Sequence, residues 1–424
     1  MLRLVYSILF YLAVPGVLLR LLWRSRREPL YRQTIGERFG YVHELDESGL
    51  IWVHSVSAGE TNAAAPLVNR LLDAGRKVII TTMTPTGRQR VRTLFGDRVF
   101  HTYAPYDMPG AVKRFLSRTR PATLVIIDTE LWPNMIRYAH ESGVETYLVN
   151  ARLSEKSFRG YKRVAPLVKS ALEALDMVAV QAEAHAARFR ALGLAAEKVW
   201  VAGSIKFDVS LPADLAERTA MLREKVGERR IFLAASTHAG EDEIVLAEFM
   251  PLAKPEELLI LAPRHPHRTM DVEKLCLDRG LTVVRHSSGR PCDDRTQVLL
   301  LDTMGELMYF YNIADVALVG GSLVPVGGHN PMEPASLSVP VIMGPYLRNI
   351  EDIAALFIEA GGMMIIDNGK KLGTVVRLLL DDEDQRSAQI RNANRVMAEN
   401  AGALDRVLAL VLHEPAEAPA TAGK

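Results

Sequence analysis

The sequence predicts an α/β protein built from two doubly wound parallel sheets, one following the other along the chain. Three observations carry this prediction. Short apolar runs rich in β-branched residues recur, each followed by a turn and an amphipathic stretch, which is the pattern of strands covered by helices on both faces. The alternation restarts in the second half, and 424 residues exceed what one ordinary core absorbs. The cadence Ala-Gly-Glu at a strand-to-helix turn occurs twice, in WVHSVSAGETN (residues 52–62) and in FLAASTHAGEDEI (residues 232–244).

The elements follow in order. LVYSILFYLAVPGVLL (residues 4–19) is uncharged, and Arg20, Arg24, Arg26 and Arg27 come directly after it. This run falls slightly short of the ~20 residues of a spanning helix, and Pro15-Gly16 interrupts it. The charges follow the apolar segment and no Ala-x-Ala-like site appears, which argues against a cleaved signal peptide. Residues 1–27 are therefore expected to be an anchor or an embedded helix, with the rest of the chain held on the cytoplasmic side by the positive residues. Next come LIWVHSV, KVIITTMT, ATLVIIDTE, TYLVNAR and MVAVQ, and then IFLAAST, LLILAPR, LTVVRH, QVLLLDT, VALVGGS and VPVIMGP. The break falls within VAGSIKFDVSLPADL (residues 201–215). This gives an expected first domain of 28–205, a second of 206–412, and a disordered tail of 413–424. Open parallel sheets bind ligands beyond the carboxyl ends of their strands, so two such domains facing each other would share a cleft with both Ala-Gly-Glu turns on its rim.

Composition narrows the class. Hydrophobic residues at 48% and charged residues at 24% suit a folded α/β protein. Cys276 and Cys292 form no CxxC pair, which disfavours a zinc site or disulfide framework and fits a reducing compartment. The net charge of +1 hides an asymmetry: residues 1–205 carry 28 Lys and Arg against 18 Asp and Glu, while the remainder carries 23 against 32. The basic half suits an anionic surface or substrate. Its charges are scattered and no nucleic-acid-binding signature accompanies them, so nucleic acid is not an expected partner.

Several polar residues fall at strand ends. Glu60 follows a glycine at the start of a helix, where a carboxylate serves either the helix dipole or proton transfer; the helix end is expected to keep it ionised. Glu130 stands between an apolar strand and a Trp-Pro turn in IIDTELWPN, and Lys206 lies in GSIKFD at the expected domain junction. Arg264 and His265 directly follow a strand in LAPRHPHR, placing a guanidinium suited to phosphate or carboxylate at that edge. Gly305, Glu306 and Leu307 form the loop of DTMGEL. In GGSLVPVGGHNPMEPA (residues 320–335), paired glycines permit close backbone approach, and Asn330, Pro331 and Glu333 read as N-cap, N1 and N3 of a helix with Met332 between them. A reciprocal capping box is the alternative role for Glu333. Neither GxGxxG nor GxxxxGK[ST] is present, which disfavours a dinucleotide cofactor or ATP hydrolysis.

Taken together, GERFG (residues 36–40), WVHSVSAGE, TTMTPTG, YAPYD, DTELWPN, NARLSEKS, GSIKFD, ASTHAGEDE, PRHPHR, MGEL and VGGSLVPVGGHNPMEPA resemble, in order, the 3-deoxy-D-manno-octulosonic acid (Kdo) transferases of lipopolysaccharide biosynthesis. Ser204 stands where many relatives carry Asn. The resemblance implies a GT-B glycosyltransferase with CMP-Kdo as donor and the lipid A precursor, lipid IVA, as acceptor, working at the inner membrane with its catalytic domains on the cytoplasmic face. It assigns Glu60 as proton acceptor and matches Glu130 and Lys206 to positions that assist the transition state. It places CMP contacts at Arg264, His265, Gly305, Glu306, Leu307, Asn330, Pro331, Met332 and Glu333. It implies no cofactor, and no clustered Asp and His set in the sequence suggests a metal. The rival expectations are a GT-B transferase using a UDP-sugar and a membrane-tethered binding protein without chemistry; a dehydrogenase is disfavoured by the missing dinucleotide fingerprint.

Overall fold

The computed structural model describes all residues except 1, 27–33, 46, 48, 210 and 415–424, so Arg27 and the expected tail from 415 lie outside the described residues. Contacts divide the chain into two units, Met1–Asp208 with Ala401–Lys424, and Val209–Asn400.

In the first unit, β1 (Ile51–His54), β2 (Val78–Thr82), β3 (Phe100–Tyr103), β4 (Thr123–Ile127), β5 (Glu145–Ala151), β6 (Met177–Val180) and β7 (Val199–Val201) pair in the order β3-β2-β1-β4-β5-β6-β7. Every neighbouring pair is parallel. Parallel pairing requires crossovers, and the amphipathic stretches noted in the sequence supply them as helices. Successive strand residues face opposite layers. Accordingly Trp52 joins one core layer while Ile51 and Val53 join the other.

The second unit repeats this plan with β8 (Arg230–Thr237), β9 (Glu257–Pro263), β10 (Val283–Arg285), β11 (Val298–Leu300), β12 (Val316–Val319), β13 (Val341–Met343) and β14 (Met364–Ile365). Their order is β10-β11-β9-β8-β12-β13-β14, again all parallel. Phe232 and Ala234 enter one layer and Leu233 and Ala235 the other.

Two segments depart from the expected organisation. The helix Ala403–Leu412, expected within a 206–412 domain, packs on the first unit. Its apolar face, Leu404, Val407, Leu408 and Val411, completes the layer that holds Leu67, Val68 and Leu71. The helix start is held by Asp208, whose carboxylate accepts from the amides of Gly402 and Leu404, each at 2.6 Å. Apolar spacing announced the helix, but spacing carries no information about which sheet it covers.

The other departure is at the N-terminus. Leu2–Ser25 is one unbroken helix of 24 residues running through Pro15, which forfeits one backbone bond without ending the helix. It is long and apolar enough to cross a membrane by length and composition. One face lies against the first unit: the Tyr6 hydroxyl donates to Asp107 (2.9 Å), the Gly110 amide donates to the Tyr11 hydroxyl (3.1 Å), and Ser7 hydrogen bonds Asn134. Leu21 is buried near its far end, while Leu4, Ile8, Leu12, Leu19 and Trp23 are exposed on other faces.

Leu404→Ala is expected to destabilise the first unit by about 2–5 kcal/mol, because a leucine only 4% exposed leaves a cavity that helix packing cannot fill. Chemical denaturation followed by circular dichroism measures the loss, and a shift below half a kcal/mol would mean the helix is not part of that core.

Candidate functional site

In a doubly wound sheet the loops leaving adjacent strands diverge where strand order reverses, and ligands seat in the opening. The reversal lies between β1 and β4 in the first sheet and between β8 and β12 in the second. Of the residues singled out from sequence, Glu60 and Glu130 follow β1 and β4, and Asn330 to Glu333 follow β12; Arg264 and His265 leave the neighbouring β9, while Lys206 follows β7 and Gly305 to Leu307 follow β11.

In the first unit, β1 leads through Ser55, Val56 and Ser57 into the helix Ala58–Asp73, with Ser57 as N-cap. Glu60 turns back over this start. Its Oε2 accepts from the Val56 amide at 2.7 Å and its Oε1 from the Ser57 hydroxyl at 2.9 Å. The helix-start role and the inward carboxylate are therefore one arrangement. The expectation that the helix end keeps Glu60 fully ionised needs correcting. Burial pushes its carboxyl up to about 7, the two hydrogen bonds pull the other way, and the charges of Glu130 and Asp128 raise it further. Desolvation outweighs the few partial charges of a helix end.

β4 delivers Glu130 to the same place. Its carboxylate accepts from the Trp132 indole N–H at 2.8 Å, and burial raises it as well. Two residues missed in the sequence hold this rim. Asp128 and Asn150, at the ends of β4 and β5, both adopt left-handed backbone, with φ of 60° and 55°. Asn and Asp tolerate that conformation better than other side chains, and it turns each chain sharply as it leaves the sheet. Asn150 donates through Nδ2 to Asp128 (2.6 Å), while its Oδ1 accepts from the Ile205 amide and the Ser204 hydroxyl, each at 3.3 Å. Lys206 sits in the turn so pinned, and Asp208 ties the other end of the turn to Gly402 and Leu404. Glu60, Glu130 and Lys206 thus belong to one rim, linked through Asp128 and Asn150. The sequence signal was an Asx residue ending each of two adjacent strands, in VIID and YLVN.

In the second unit the corresponding Ala-Gly-Glu turn behaves differently. Glu241 is fully buried. Its carboxylate accepts from four backbone amides: His238 at 2.9 Å, Gly321 at 2.7 Å, Ser322 at 3.0 Å and Leu323 at 2.8 Å. The loop after β12 is moulded around it. Gly320 is required by close approach, since a Cβ there would lie 2.5 Å from the Ser236 carbonyl oxygen. Beside this loop stand His238 and His329, missed in the sequence, with their Nε2 atoms 2.8 Å apart and rings stacked.

Arg264 and His265 are exposed after β9, with the Arg264 amide donating to the Thr237 carbonyl at 2.9 Å. His265 meets His238 edge to face at 5.5 Å. Burial first, and then the charge of Arg264, lowers His329 to about 4, and His238 and His265 are lowered too. Burial raises Glu333, opposed by its hydrogen bond with Asn330 and by Arg264. Arg264, His265, Asn330 and Glu333 are therefore brought together around neutral imidazoles.

The 330–333 segment differs in detail from expectation. The helix begins one residue later, Met332–Ser336, with Pro331 as N-cap. Asn330 Oδ1 accepts from the Met332 amide at 2.9 Å. Among the described residues no bond joins Glu333 to the Asn330 backbone N–H, so the capping box is not formed. With only five residues the helix offers little dipole. In the 305–307 loop, Glu306 is engaged internally with Arg218, with Thr303 and with His286 (3.2 Å), and Gly305 has φ of 85°. Its carboxylate makes these contacts rather than any with Arg264 or Glu333.

A carboxyl whose folded pKa is near 7, above its ordinary 4.5, binds its proton more tightly folded than unfolded. The stability this provides is complete below about 4.5 and is lost as pH rises through about 7. Glu60→Gln removes the titration, so its melting temperature should gain on the wild type between pH 5 and pH 8. A constant difference across that range in calorimetric scans would place Glu60 at its ordinary value.

The profile of the family described as 3-Deoxy-D-manno-octulosonic-acid transferase (kdotransferase) matches residues 33–209. The chain is 36% identical over 418 residues to the 3-deoxy-D-manno-octulosonic acid transferase of Haemophilus influenzae, covering 96% of this chain and 98% of that one. It is 37% identical over 370 residues to that of Bordetella pertussis, covering 84% and 86%. Among solved structures, the UDP-GlcNAc 2-epimerase of Neisseria meningitidis superposes with a TM-score of 0.55 over 87% of this chain and all of that one, at 13% identity, a likeness of fold. The chain has the GT-B fold and belongs to the Kdo transferase family, glycosyltransferases of lipopolysaccharide biosynthesis.

Proposed function

We propose that the protein transfers Kdo from CMP-Kdo to a hydroxyl of the lipid A precursor lipid IVA, with Glu60 as general base. The observation that carries this reading is the Glu60 carboxyl at the reversal of the first sheet, with a pKa near 7. A base is most effective when its pKa lies near the working pH. The attacking oxygen forms a bond to the anomeric carbon of Kdo as its proton passes to Glu60. The bond from that carbon to the cytidylate breaks, and CMP leaves with the electron pair from the opposite face, so the configuration inverts.

The second unit supplies the donor site in this reading. Arg264 offsets phosphate charge, Asn330 and Glu333 meet the nucleotide with Pro331 and Met332 between them, and Glu333 accepts from ribose hydroxyls. His265 and the 305–307 loop complete the contacts. Glu130 stabilises positive charge growing on the sugar ring, and Lys206 offsets the donor's carboxylate or phosphate. No cofactor enters these steps. The basic character of residues 1–205 and the exposed apolar face of the N-terminal helix support an acidic lipid substrate met at the cytoplasmic face of the inner membrane.

Incubation with CMP-Kdo and lipid IVA, with products resolved by mass, tests donor, acceptor and stoichiometry together; turnover with UDP-hexoses alone would replace this reading by the UDP-sugar alternative. Glu60→Gln should lower kcat about 10²–10⁴-fold, and wild-type kcat/KM should rise with pH through an apparent pKa near 7. A variant with near-normal turnover would remove Glu60 from that role.

The imidazoles beside Arg264 make a second prediction. An anion seated there favours their protonated forms, so CMP binding should take up protons and tighten as pH falls from 7 to 5. Calorimetry in two buffers of different ionisation enthalpy measures the uptake; none at pH 5.5 would place the phosphate elsewhere.

A further inference from the structure

A cavity of about 500 Å³ lies within the first unit beneath the N-terminal helix. Phe10, Leu21 and Trp132 contribute apolar walls, and Arg20, Arg24 and Arg38 bring three cationic side chains to it. Arg38 is the unusual member. It belongs to GERFG, a motif that the proposed chemistry leaves unused. The residue is 1% exposed. Its guanidinium lies over the Tyr103 ring at 4.0 Å and the Tyr106 ring at 5.9 Å, with Nη1 at 3.9 Å from the Met83 sulfur. Among the described residues, Nε and Nη2 have no well-aligned hydrogen-bond partner, although the guanidinium also acts on the Tyr106 hydroxyl and opposes the rise that burial gives it.

The nearby acids are already committed. Glu37 accepts from the Tyr103 amide (2.8 Å) and pairs with Arg88 (3.3 Å). Asp107, on the cavity wall, accepts from the amides of Asn134 (3.0 Å) and Met135 (2.6 Å) and from the Tyr6 hydroxyl (2.9 Å). A buried guanidinium with two open donor positions and no carboxylate is costly to maintain and is satisfied when an anion arrives. Planar, forked donors suit phosphate in particular.

The surroundings select the kind of anion. The helix roofing the cavity exposes Leu4, Ile8, Leu12, Leu19 and Trp23, a face that suits a lipid surface. The wall residue Trp132 also donates to Glu130, whose charge is felt by Glu60. An occupant of this cavity therefore touches the lipid-facing helix on one side and, at Trp132, a residue bonded to one of the carboxylates proposed for chemistry.

We propose that this cavity seats the phosphate and the first part of an acyl chain of the lipid acceptor, with Arg38 pairing the phosphate and Arg20 and Arg24 guiding it in. The inference rests on the acceptor reading above and adds its recognition site. The hydroxyl to be glycosylated is then positioned by the phosphate as well as by contacts to the sugar.

The test compares wild type, Arg38→Gln, Arg38→Lys and Arg20→Gln on lipid IVA and on the same lipid after phosphatase treatment, at saturating CMP-Kdo. Arg38→Gln should raise KM for the phosphorylated acceptor about tenfold or more, the size of a charge-assisted hydrogen bond, with little change in KM for CMP-Kdo. Phosphate removal should cost the wild type much more than it costs Arg38→Gln, and Arg38→Lys should recover part of the loss. Equal losses on phosphate removal in wild type and Arg38→Gln would overturn the proposal. If Arg38→Gln fails to fold, Arg38→Lys and the exposed Arg20→Gln decide by the same comparison. Should the wild type transfer no Kdo, the functional reading fails separately, and titration calorimetry of the phosphorylated and phosphatase-treated lipids in detergent micelles then measures binding. Weaker binding by the Arg38 variants supports the cavity assignment, and equal binding overturns it.

Discussion

Where strand order reverses in a parallel sheet, the backbone amides of the departing loops lose their neighbours and must find acceptors. Both units meet that demand with the glutamate of an Ala-Gly-Glu turn. A carboxylate has about four lone-pair positions. In Glu241 all four are filled by amides, from His238, Gly321, Ser322 and Leu323, and the residue has become part of the backbone framework. Among the described residues, the Glu60 carboxylate accepts only from the Val56 amide and the Ser57 hydroxyl. The repeated motif thus yields a backbone scaffold in one unit and, in the other, a carboxylate with fewer hydrogen bonds to its own backbone. The two turns differ in shape as well: Gly59 lies inside its helix, whereas Gly240 caps its helix in a left-handed conformation with φ of 93°.

The fold was legible because it depends on a pattern that sequence displays directly: short runs buried on both faces, punctuated by turns. Trp52, Val53, Phe232 and Leu233 face the layers such a pattern requires. What sequence could not show is which partner an element meets through space. The helix Ala403–Leu412 displays its apolar face plainly, yet only the position of Leu67, Val68 and Leu71 reveals what it covers. Pro15 suggested an interruption that a helix already laid against a protein surface tolerates. The carboxyl of Glu60 was expected to answer to the helix end, but burial beside Glu130 and Asp128 has the larger effect.

The candidate site divides along the same line. Glu60, Glu130 and Arg264 were found because each follows an apolar strand, and Glu333 because it follows paired glycines at an expected helix start. Asn150 and the His238–His329 pair were passed over because their importance lies in contacts 54 to 91 residues distant, with Ser204, Ile205 and each other. Arg38 was recorded as part of a motif, but only its burial without a well-aligned hydrogen-bond partner at Nε and Nη2 sets it apart.

The chain passes between its two units twice, after Asp208 and again after Asn400. During synthesis the first sheet therefore waits with Leu67, Val68 and Leu71 partly uncovered until the whole of the second unit has been made. Domains ordinarily fold in the order they emerge, but here the earlier one finishes last. Its last packing layer is closed by a segment translated only after the whole of the second sheet.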